Sequence, residues 1–196
     1  MDDPATTDPY VDGRGILVNK LGITSASALR RAEADLSLAA LLRLAIRPLP
    51  GRYDLDHLRQ FHRQIFGAVY PWAGELRTVD LARTRNDLFC RWVFLESSAA
   101  GIFGELAAEG LLTGLPRGTF VARLAHFYGE INALHPFREG NGRTQRAFLG
   151  QLAREAGWRV AWSTLDAAGN DRASAASLHG DEEPLRVLLD ELVRPL

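Results

Sequence analysis

The chain has 196 residues, of which 46% are hydrophobic and 24% are charged, and its formal net charge at pH 7 is −1. This composition predicts a globular domain with a buried core and argues against a disordered chain. The balance of 23 basic and 24 acidic residues argues against charge-driven binding, so we expect no direct contact with nucleic acid. A single cysteine excludes an internal disulfide and a cysteine-rich metal site.

The sequence gives no sign of membrane insertion or secretion. No stretch has the roughly 18 to 20 consecutive apolar residues that a membrane-spanning helix needs. The acidic start, Met1 to Pro4, lacks the basic residues and the apolar stretch of a secretory signal. We therefore expect a cytoplasmic protein without membrane contact.

Glycines and prolines predict an irregular N-terminal segment over residues 1–26. A first helix is expected from Ser27, as its N-cap, to about Ile46, and a second from Asp54 to a point before Pro71. The second helix should bury the apolar residues that recur at helical spacing, namely Leu55, Leu58, Phe61, Ile65 and Phe66.

Residues 76–95 have a different pattern, in which two apolar runs flank a polar centre. This pattern predicts a β-hairpin or an extended flap, whose polar centre is formed by Arg83, Thr84, Arg85, Asn86 and Asp87. Further helices are expected over about 96–110, 117–134, 142–156, 164–178 and 183–193. The predicted fold class is mostly α with one small β element, in a single domain over residues 1–196.

The chemically informative segment is residues 135–146, His-Pro-Phe-Arg-Glu-Gly-Asn-Gly-Arg-Thr-Gln-Arg. It forms a predicted loop between a helix that ends at Pro136 and a helix that begins after Gly142. The first N–H groups of a helix have no partner within it and lie at the positive end of its dipole, so they suit an anion. Gly140 and Gly142 would let a phosphate approach the backbone closely.

The charged side chains of the same segment fit a nucleotide with its metal ion. Arg143 and Arg146 are three residues apart and project from one side of the first helical turn, where guanidinium groups can bind phosphate oxygens. Glu139 could hold Mg²⁺ together with those oxygens. His135, with an ordinary pKa of about 6.5, is suited to accepting a proton. Each feature alone is commonly structural, but their combination in twelve residues favours a nucleotide site.

This segment resembles the active-site motif of the Fic family, His-x-Phe-x-(Asp or Glu)-Gly-Asn-Gly-Arg-x-x-Arg, at every specified position. Residues 15–23 and 70–77 resemble the N-terminal part of bacterial Fic toxins, so the similarity covers about residues 10–160. The resemblance implies a Fic-type helical bundle with a small β-hairpin flap beside the active-site loop.

The resemblance also implies a protein adenylyltransferase, which moves AMP from ATP onto a hydroxyl side chain of a target protein. His135 would be the general base, Phe137 a buried anchor of the loop, and Glu139 the ligand of Mg²⁺. Residues 76–95 would be the flap that docks an extended target segment by strand pairing. The phosphates of ATP would be bound by Gly140, Asn141, Gly142, Arg143 and Arg146.

The resemblance further suggests how such an enzyme is restrained. Many Fic proteins are inhibited by the glutamate of a (Ser or Thr)-x-x-x-Glu-(Gly or Asn) helix motif, which pairs with the second motif arginine, here Arg146. In this chain no Ser or Thr stands four positions before a glutamate, and Glu33, the best-placed N-terminal candidate, has Leu29 there. We therefore expect a toxin held inactive by a small helical antitoxin that supplies the glutamate to Arg146. The alternatives are inhibition by oligomerisation and no inhibition at all.

By analogy with stand-alone toxins, the expected substrates are B subunits of type II topoisomerases, DNA gyrase and topoisomerase IV. Transfer of UMP, GMP or phosphocholine is the alternative chemistry, because the motif does not include the pocket for the base. A non-catalytic binding module is disfavoured by the intact histidine, glutamate and arginines of the motif. A DNA-binding regulator is disfavoured by the balanced charge and the lack of a basic recognition helix.

Overall fold

The structure, a computed structural model, describes residues 8–85 and 87–196. The helices of these ranges are Ala26–Ile46 (α1), Leu55–Phe66 (α2), Leu95–Ala108 (α3), Arg117–Leu134 (α4), Asn141–Glu155 (α5), Ala167–Ser177 (α6) and Glu183–Leu192 (α7). Two short strands, Trp158–Val160 (β1) and Val193–Pro195 (β2), complete the fold. The fold class predicted from the sequence, mostly α with one small β element, is confirmed.

Local sequence explains where the first two helices begin and end. Ser25 caps α1 and Asp54 caps α2, since each side chain accepts the backbone N–H three residues further on, at 3.5 and 2.9 Å. The cap of α1 therefore lies two residues before the predicted Ser27. The helix stops before Arg47 because a residue that precedes a proline, here Pro48, is disfavoured in the helical conformation.

The later helices lie close to their predicted ranges, but one helix and the predicted flap differ from the prediction. The helix predicted over 164–178 begins only at Ala167, because Trp162–Thr164 forms a separate 3₁₀ turn and Asp166 then caps α6. The predicted flap over 76–95 is also shorter than expected. Its last apolar run forms a 3₁₀ turn, Trp92–Phe94, that leads directly into α3.

The β-structure of the chain lies mainly where the sequence did not predict it. β1 and β2 pair in antiparallel fashion, with Val160 opposite Val193. Strands of three residues are too short to show a period of two, and Val193 continues the apolar pattern of α7. In the predicted hairpin, by contrast, the described residues pair at one isolated bridge, between Ala82 and Leu88.

Helices α4 and α5 form the centre of the molecule. α4 packs against α3, α5, α6 and α7, whereas α5 packs against α1, α2 and β1. Their inward faces are almost fully buried, at Phe120, Leu124, Phe127, Phe148, Leu149 and Leu152. The segment 135–140 connects these two helices, so its ends are anchored in the best-packed part of the fold.

Within the two described ranges, none of the helices combines the length and the apolar character needed to cross a bilayer. The cytoplasmic location predicted from the sequence is not tested by this finding and stays a prediction.

Candidate active site

The loop between α4 and α5 is shaped by two residues with positive φ. His135 closes α4 with φ 44° and ψ 59°, in the left-handed region that residues other than glycine seldom adopt. Gly140 precedes α5 with φ 84°. A Cβ at Gly140 would lie 2.4 Å from ring atoms of Phe66, so both the conformation and the space require glycine there.

Asn141 fixes the middle of this loop. Its side-chain Oδ1 accepts the backbone N–H of Phe137 at 2.9 Å, and its Nδ2 donates to the carbonyl oxygen of the same residue at 2.7 Å. Phe137 is 1% exposed and anchors the loop in the core. Both ends of the Asn141 amide are therefore engaged within the loop.

His62 of α2 supports the loop by contacts with Phe137 and Glu139. Its ring stacks on that of Phe137, with centroids 3.9 Å apart. Its Nδ1 accepts the N–H of Gly74 at 2.8 Å, so Nε2 carries the proton and donates to the carbonyl oxygen of Glu139 at 2.9 Å. Burial, together with the charges of Arg143 and Arg63, lowers the pKa of His62 to about 4. His62 is therefore a neutral brace at physiological pH.

The two motif arginines have different surroundings. Arg143 donates from Nη1 to Ser37 Oγ at 3.0 Å and from Nη2 to Glu33 Oε1, and its guanidinium lies 4.7 Å above the ring of Phe66. Arg146 forms no salt bridge with any carboxylate in ranges 8–85 and 87–196. The first arginine is thus compensated by a carboxylate of the chain, whereas the second lines the cavity and interacts with the neutral hydroxyl of Tyr128.

Glu139 lies at the mouth of the loop with a side chain that is 42% exposed. Its Oε1 accepts the N–H of Gly140 at 2.8 Å and lies 3.7 Å from Nη2 of Arg143. An accessible carboxylate at the start of α5 fits a ligand of a divalent metal that is shared with phosphate oxygens.

These groups surround one cavity of about 300 Å³. Its lining includes every predicted phosphate-binding and metal-binding residue and the predicted base: His135, Arg138, Glu139, Gly140, Asn141, Gly142, Arg143 and Arg146. Arg138 was not predicted as a site residue, and it is paired with Asp8 at 2.7 Å. The predicted anchor Phe137 lies beneath the cavity. The structure therefore brings the motif together on one side of the start of α5.

His135 is set into the cavity wall. Its ring stacks on Phe89 of the flap, with centroids 3.7 Å apart, and its Nδ1 lies 3.3 Å from the carbonyl oxygen of Asn132. Burial lowers its pKa to about 4, and the positive charge of Arg77 acts in the same direction. The imidazole is therefore neutral at pH 7 and can accept a proton.

Arg77 joins the flap to the end of α4. Its side chain is 0% exposed and donates to the carbonyl oxygens of His135, Val79, Cys90 and Leu134. The last carbonyls of a helix have no partner within it, so this guanidinium caps α4 and also fixes the flap segment next to Phe89.

A model of the Fic/DOC family matches residues 52–153 of the chain, which include the whole motif.

The chain belongs to the Fic/DOC family.

Relatives in this family resemble the chain over nearly its whole length. Protein adenylyltransferase VbhT of Bartonella schoenbuchensis is 40% identical over 185 residues, which are 94% of this chain and 38% of that relative. An Escherichia coli protein named "Probable protein adenylyltransferase Fic" is 35% identical over 187 residues, 95% of this chain and 92% of the relative. The chain thus spans just over a third of VbhT and nearly all of the second relative. The predicted enzyme class, nucleotidyl transfer, is confirmed by these names.

Solved structures confirm the predicted Fic-type bundle. The N-terminal Fic domain of a Bartonella quintana cell filamentation protein, solved with bound ADP, has a TM-score of 0.89 at 27% identity and covers 95% of this chain and 94% of that chain. The BepC protein of Bartonella tribocorum has a TM-score of 0.90 at 23% identity, covering 95% and 97%, which is a likeness of fold alone.

The flap of this Fic/DOC chain is a short loop beside His135. Asp87 accepts from the Thr84 hydroxyl at 2.7 Å and pairs with His179 at 2.9 Å, which ties the loop to the region after α6. Arg83 and Arg85 are exposed. The fifth predicted flap residue, Asn86, lies outside the described residues.

Sequence reasoning missed four residues that support the site: Glu33, His62, Arg77 and Phe89. A signal existed for two of them. Glu33 and His62 occupy positions four residues after Leu29 and Leu58, on the buried faces of α1 and α2. A polar residue on an apolar helical face needs a partner when it is buried. For Arg77 and Phe89 no local pattern gives the contact.

We predict that the ring of His135 titrates with a pKa of about 4 in the folded protein. Burial disfavours the imidazolium, so protonation should occur only well below the ordinary value of about 6.5. NMR of ¹⁵N-labelled histidine over pH 3.5 to 8 measures it, with assignment by comparison with His135→Gln. The same protein in urea is the control and should titrate near the ordinary value. Titration near 6.5 in the folded protein would contradict the burial described here.

Proposed function

We propose that this chain transfers AMP from ATP to a hydroxyl side chain of a target protein. The observation that carries the proposal is the placement of a neutral His135 and two motif arginines around one cavity at the start of α5. The names of the relatives support the donor and the reaction, and the ADP in the related Bartonella quintana domain supports a nucleotide in this cavity.

The phosphates of ATP would lie against the first turn of α5. Gly140, Asn141 and Gly142 line the cavity at the start of this helix, where free backbone N–H groups and the helix dipole favour a negative charge. Arg143 and Arg146 would bind phosphate oxygens with paired N–H donors. These contacts orient the α-phosphate and stabilise the charge that develops during transfer, as is usual for phosphoryl chemistry.

His135 would act as the general base. With a proton on Nδ1, near the carbonyl oxygen of Asn132, the ring presents an unprotonated Nε2. The target hydroxyl gives its proton to Nε2 as its oxygen bonds to the α-phosphorus, and the bond to the leaving pyrophosphate breaks. The stacked ring of Phe89 limits rotation of the imidazole, so the base is held in place before the substrate arrives.

Glu139 would hold Mg²⁺ with phosphate oxygens completing the ligand set. A metal bound there would neutralise charge on the phosphates. The carboxylate is exposed enough to exchange its contact with the Gly140 N–H for a ligand.

The flap would dock the target segment. Leu88, which forms a bridge with Ala82, is 65% exposed and directly precedes Phe89, whose ring stacks on His135. An extended segment that pairs with this edge would present a hydroxyl to His135 through backbone hydrogen bonds. B subunits of type II topoisomerases stay the candidate substrates.

The test is transfer of label to protein. Purified wild-type protein is incubated with bacterial lysate, or with purified topoisomerase B subunits, and ATP labelled at the α-phosphate. His135→Ala should lower labelling by about a hundredfold or more, since general-base catalysis contributes on that scale. His126→Ala, on the helix that His135 closes but outside the cavity lining, is the matched control and should label as wild type.

Two results would contradict the proposal. Undiminished labelling by His135→Ala would show that His135 is not the general base. A mass increase on the target that corresponds to UMP, GMP or phosphocholine, and not to AMP, would assign the alternative chemistry.

The partner that we propose is a small helical antitoxin, which brings a glutamate to Arg146. An apolar groove of about 230 Å³ begins at Arg143 and Arg146 and runs between α1, α2 and α5. Its apolar lining consists of Leu41, Leu44, Ala45, Phe61, Ala147, Gly150 and Trp162, with Arg154 at the edge. Beside the groove, α1 exposes Leu38, Leu42 and Ile46 on one face. An amphipathic helix with an acidic residue fits this apolar and cationic surface.

For the antitoxin we predict that expression of the chain alone arrests bacterial growth and that co-expression with the adjacent gene restores it. Leu42→Asp should escape this rescue, because a charge on the exposed face of α1 opposes apolar docking but lies outside the catalytic cavity. Val187→Asp, an equal change at an exposed position of α7, should stay rescued. Restored growth for wild type, Leu42→Asp and Val187→Asp alike would contradict an external inhibitor of this kind. So would a wild-type chain that does not arrest growth and transfers little label to lysate protein.

A further inference from the structure

Glu33 of α1 contacts the active-site motif across 110 positions of the sequence. Its side chain is 11% exposed. One carboxylate oxygen accepts from Nη2 of Arg143, and the other accepts from the hydroxyl of Tyr70. Both oxygens of a nearly buried carboxylate are therefore satisfied, and the charge that compensates it is the first motif arginine.

The same contacts restrain Arg143 on several sides. Nη1 donates to Ser37 Oγ at 3.0 Å, and the guanidinium lies 4.7 Å above the ring of Phe66. Burial raises the pKa of the Tyr70 hydroxyl, and its hydrogen bond with Glu33 acts in the same direction. Tyr70 therefore stays protonated and keeps donating to the carboxylate.

Arg143 has room to move if this restraint is lost. Its side chain lines three cavities, of about 230, 300 and 490 Å³, and only the 300 Å³ cavity is also lined by His135. Long arginine side chains have many rotamers, so an unrestrained guanidinium would divide its time among these spaces. Contacts with Glu33 and Ser37 use only two of its five N–H donors, which leaves donors for phosphate.

We infer that Glu33 is a positioning residue, which holds Arg143 in the orientation that binds the phosphates of the donor nucleotide. The inference rests on the proposed function. It assigns Glu33 a role opposite to that of an inhibitory glutamate, because Glu33 pairs with Arg143, the first motif arginine, and leaves further N–H donors of Arg143 for phosphate.

The experiment measures the binding of α,β-methylene-ATP, which cannot transfer its AMP, by isothermal titration calorimetry with Mg²⁺ present. Glu33→Gln keeps the shape of the side chain and removes its charge, and we expect it to weaken binding about tenfold. Tyr70→Phe, which removes the second partner of the carboxylate, should weaken binding by a smaller factor. Asp35→Asn is the matched control, an exposed acidic residue on the same helix, and should bind as wild type.

A double-mutant cycle separates positioning from a general structural role. Glu33→Gln should have no further effect on affinity in an Arg143→Ala background, because Glu33 acts through Arg143. Equal weakening in both backgrounds would overturn the inference, as would wild-type affinity of Glu33→Gln. Tighter binding by Glu33→Gln would also overturn it and would make Glu33 a brake. If wild type and Asp35→Asn also fail to bind the analogue, the proposed function itself is wrong.

Discussion

Two hydrogen bonds between the side-chain amide of Asn141 and the backbone of Phe137 hold the segment on which the site depends. α4 must end in a left-handed residue, and α5 must start after a glycine with φ 84°, with only a few residues between them. Because the amide closes this short loop, Phe137 is directed into the core and the N–H groups at the start of α5 face outward. His62 can then stack on Phe137 and bind the next turn of the loop.

The titratable side chains around this loop differ in whether they are neutral, compensated or charged without a carboxylate partner, and this difference matters for function. His62 and His135 are both kept neutral by burial, the first as a brace and the second at the cavity wall. Arg143 is compensated by Glu33, whereas Arg146 has no carboxylate partner in the part of the chain that the structure describes. A cavity that carries uncompensated positive charge and an unprotonated imidazole suits a polyphosphate next to a hydroxyl that must lose its proton.

The sequence predicts the central features because they are local. The predicted helix over about 117–134 agrees with α4, and the spacing of Arg143 and Arg146 predicted that both project from one side of the first turn of α5. The supporting contacts are not local: Glu33 to Arg143, His62 to the loop and Phe89 to His135 join segments far apart in sequence. The helical spacing of Glu33 and His62 indicates that both are buried, but no pattern in one segment indicates their partners or the pairing of β1 with β2, so only the fold reveals these contacts.

The measurement that tests this account most directly is the affinity of Asn141→Ala for inorganic pyrophosphate, by isothermal titration calorimetry. Asn132→Ala also removes a side-chain amide hydrogen bond, from α4 to α6, but lies outside the cavity lining and is the matched control. Each variant should lose about 1 to 3 kcal/mol of stability, as expected when a buried backbone or side-chain group loses its partner. The account predicts that Asn141→Ala binds pyrophosphate at least about tenfold more weakly than wild type, because the loop no longer directs its N–H groups to the anion, whereas Asn132→Ala binds it unchanged. Equal affinities of the two variants would contradict the claim that this loop geometry creates the phosphate site.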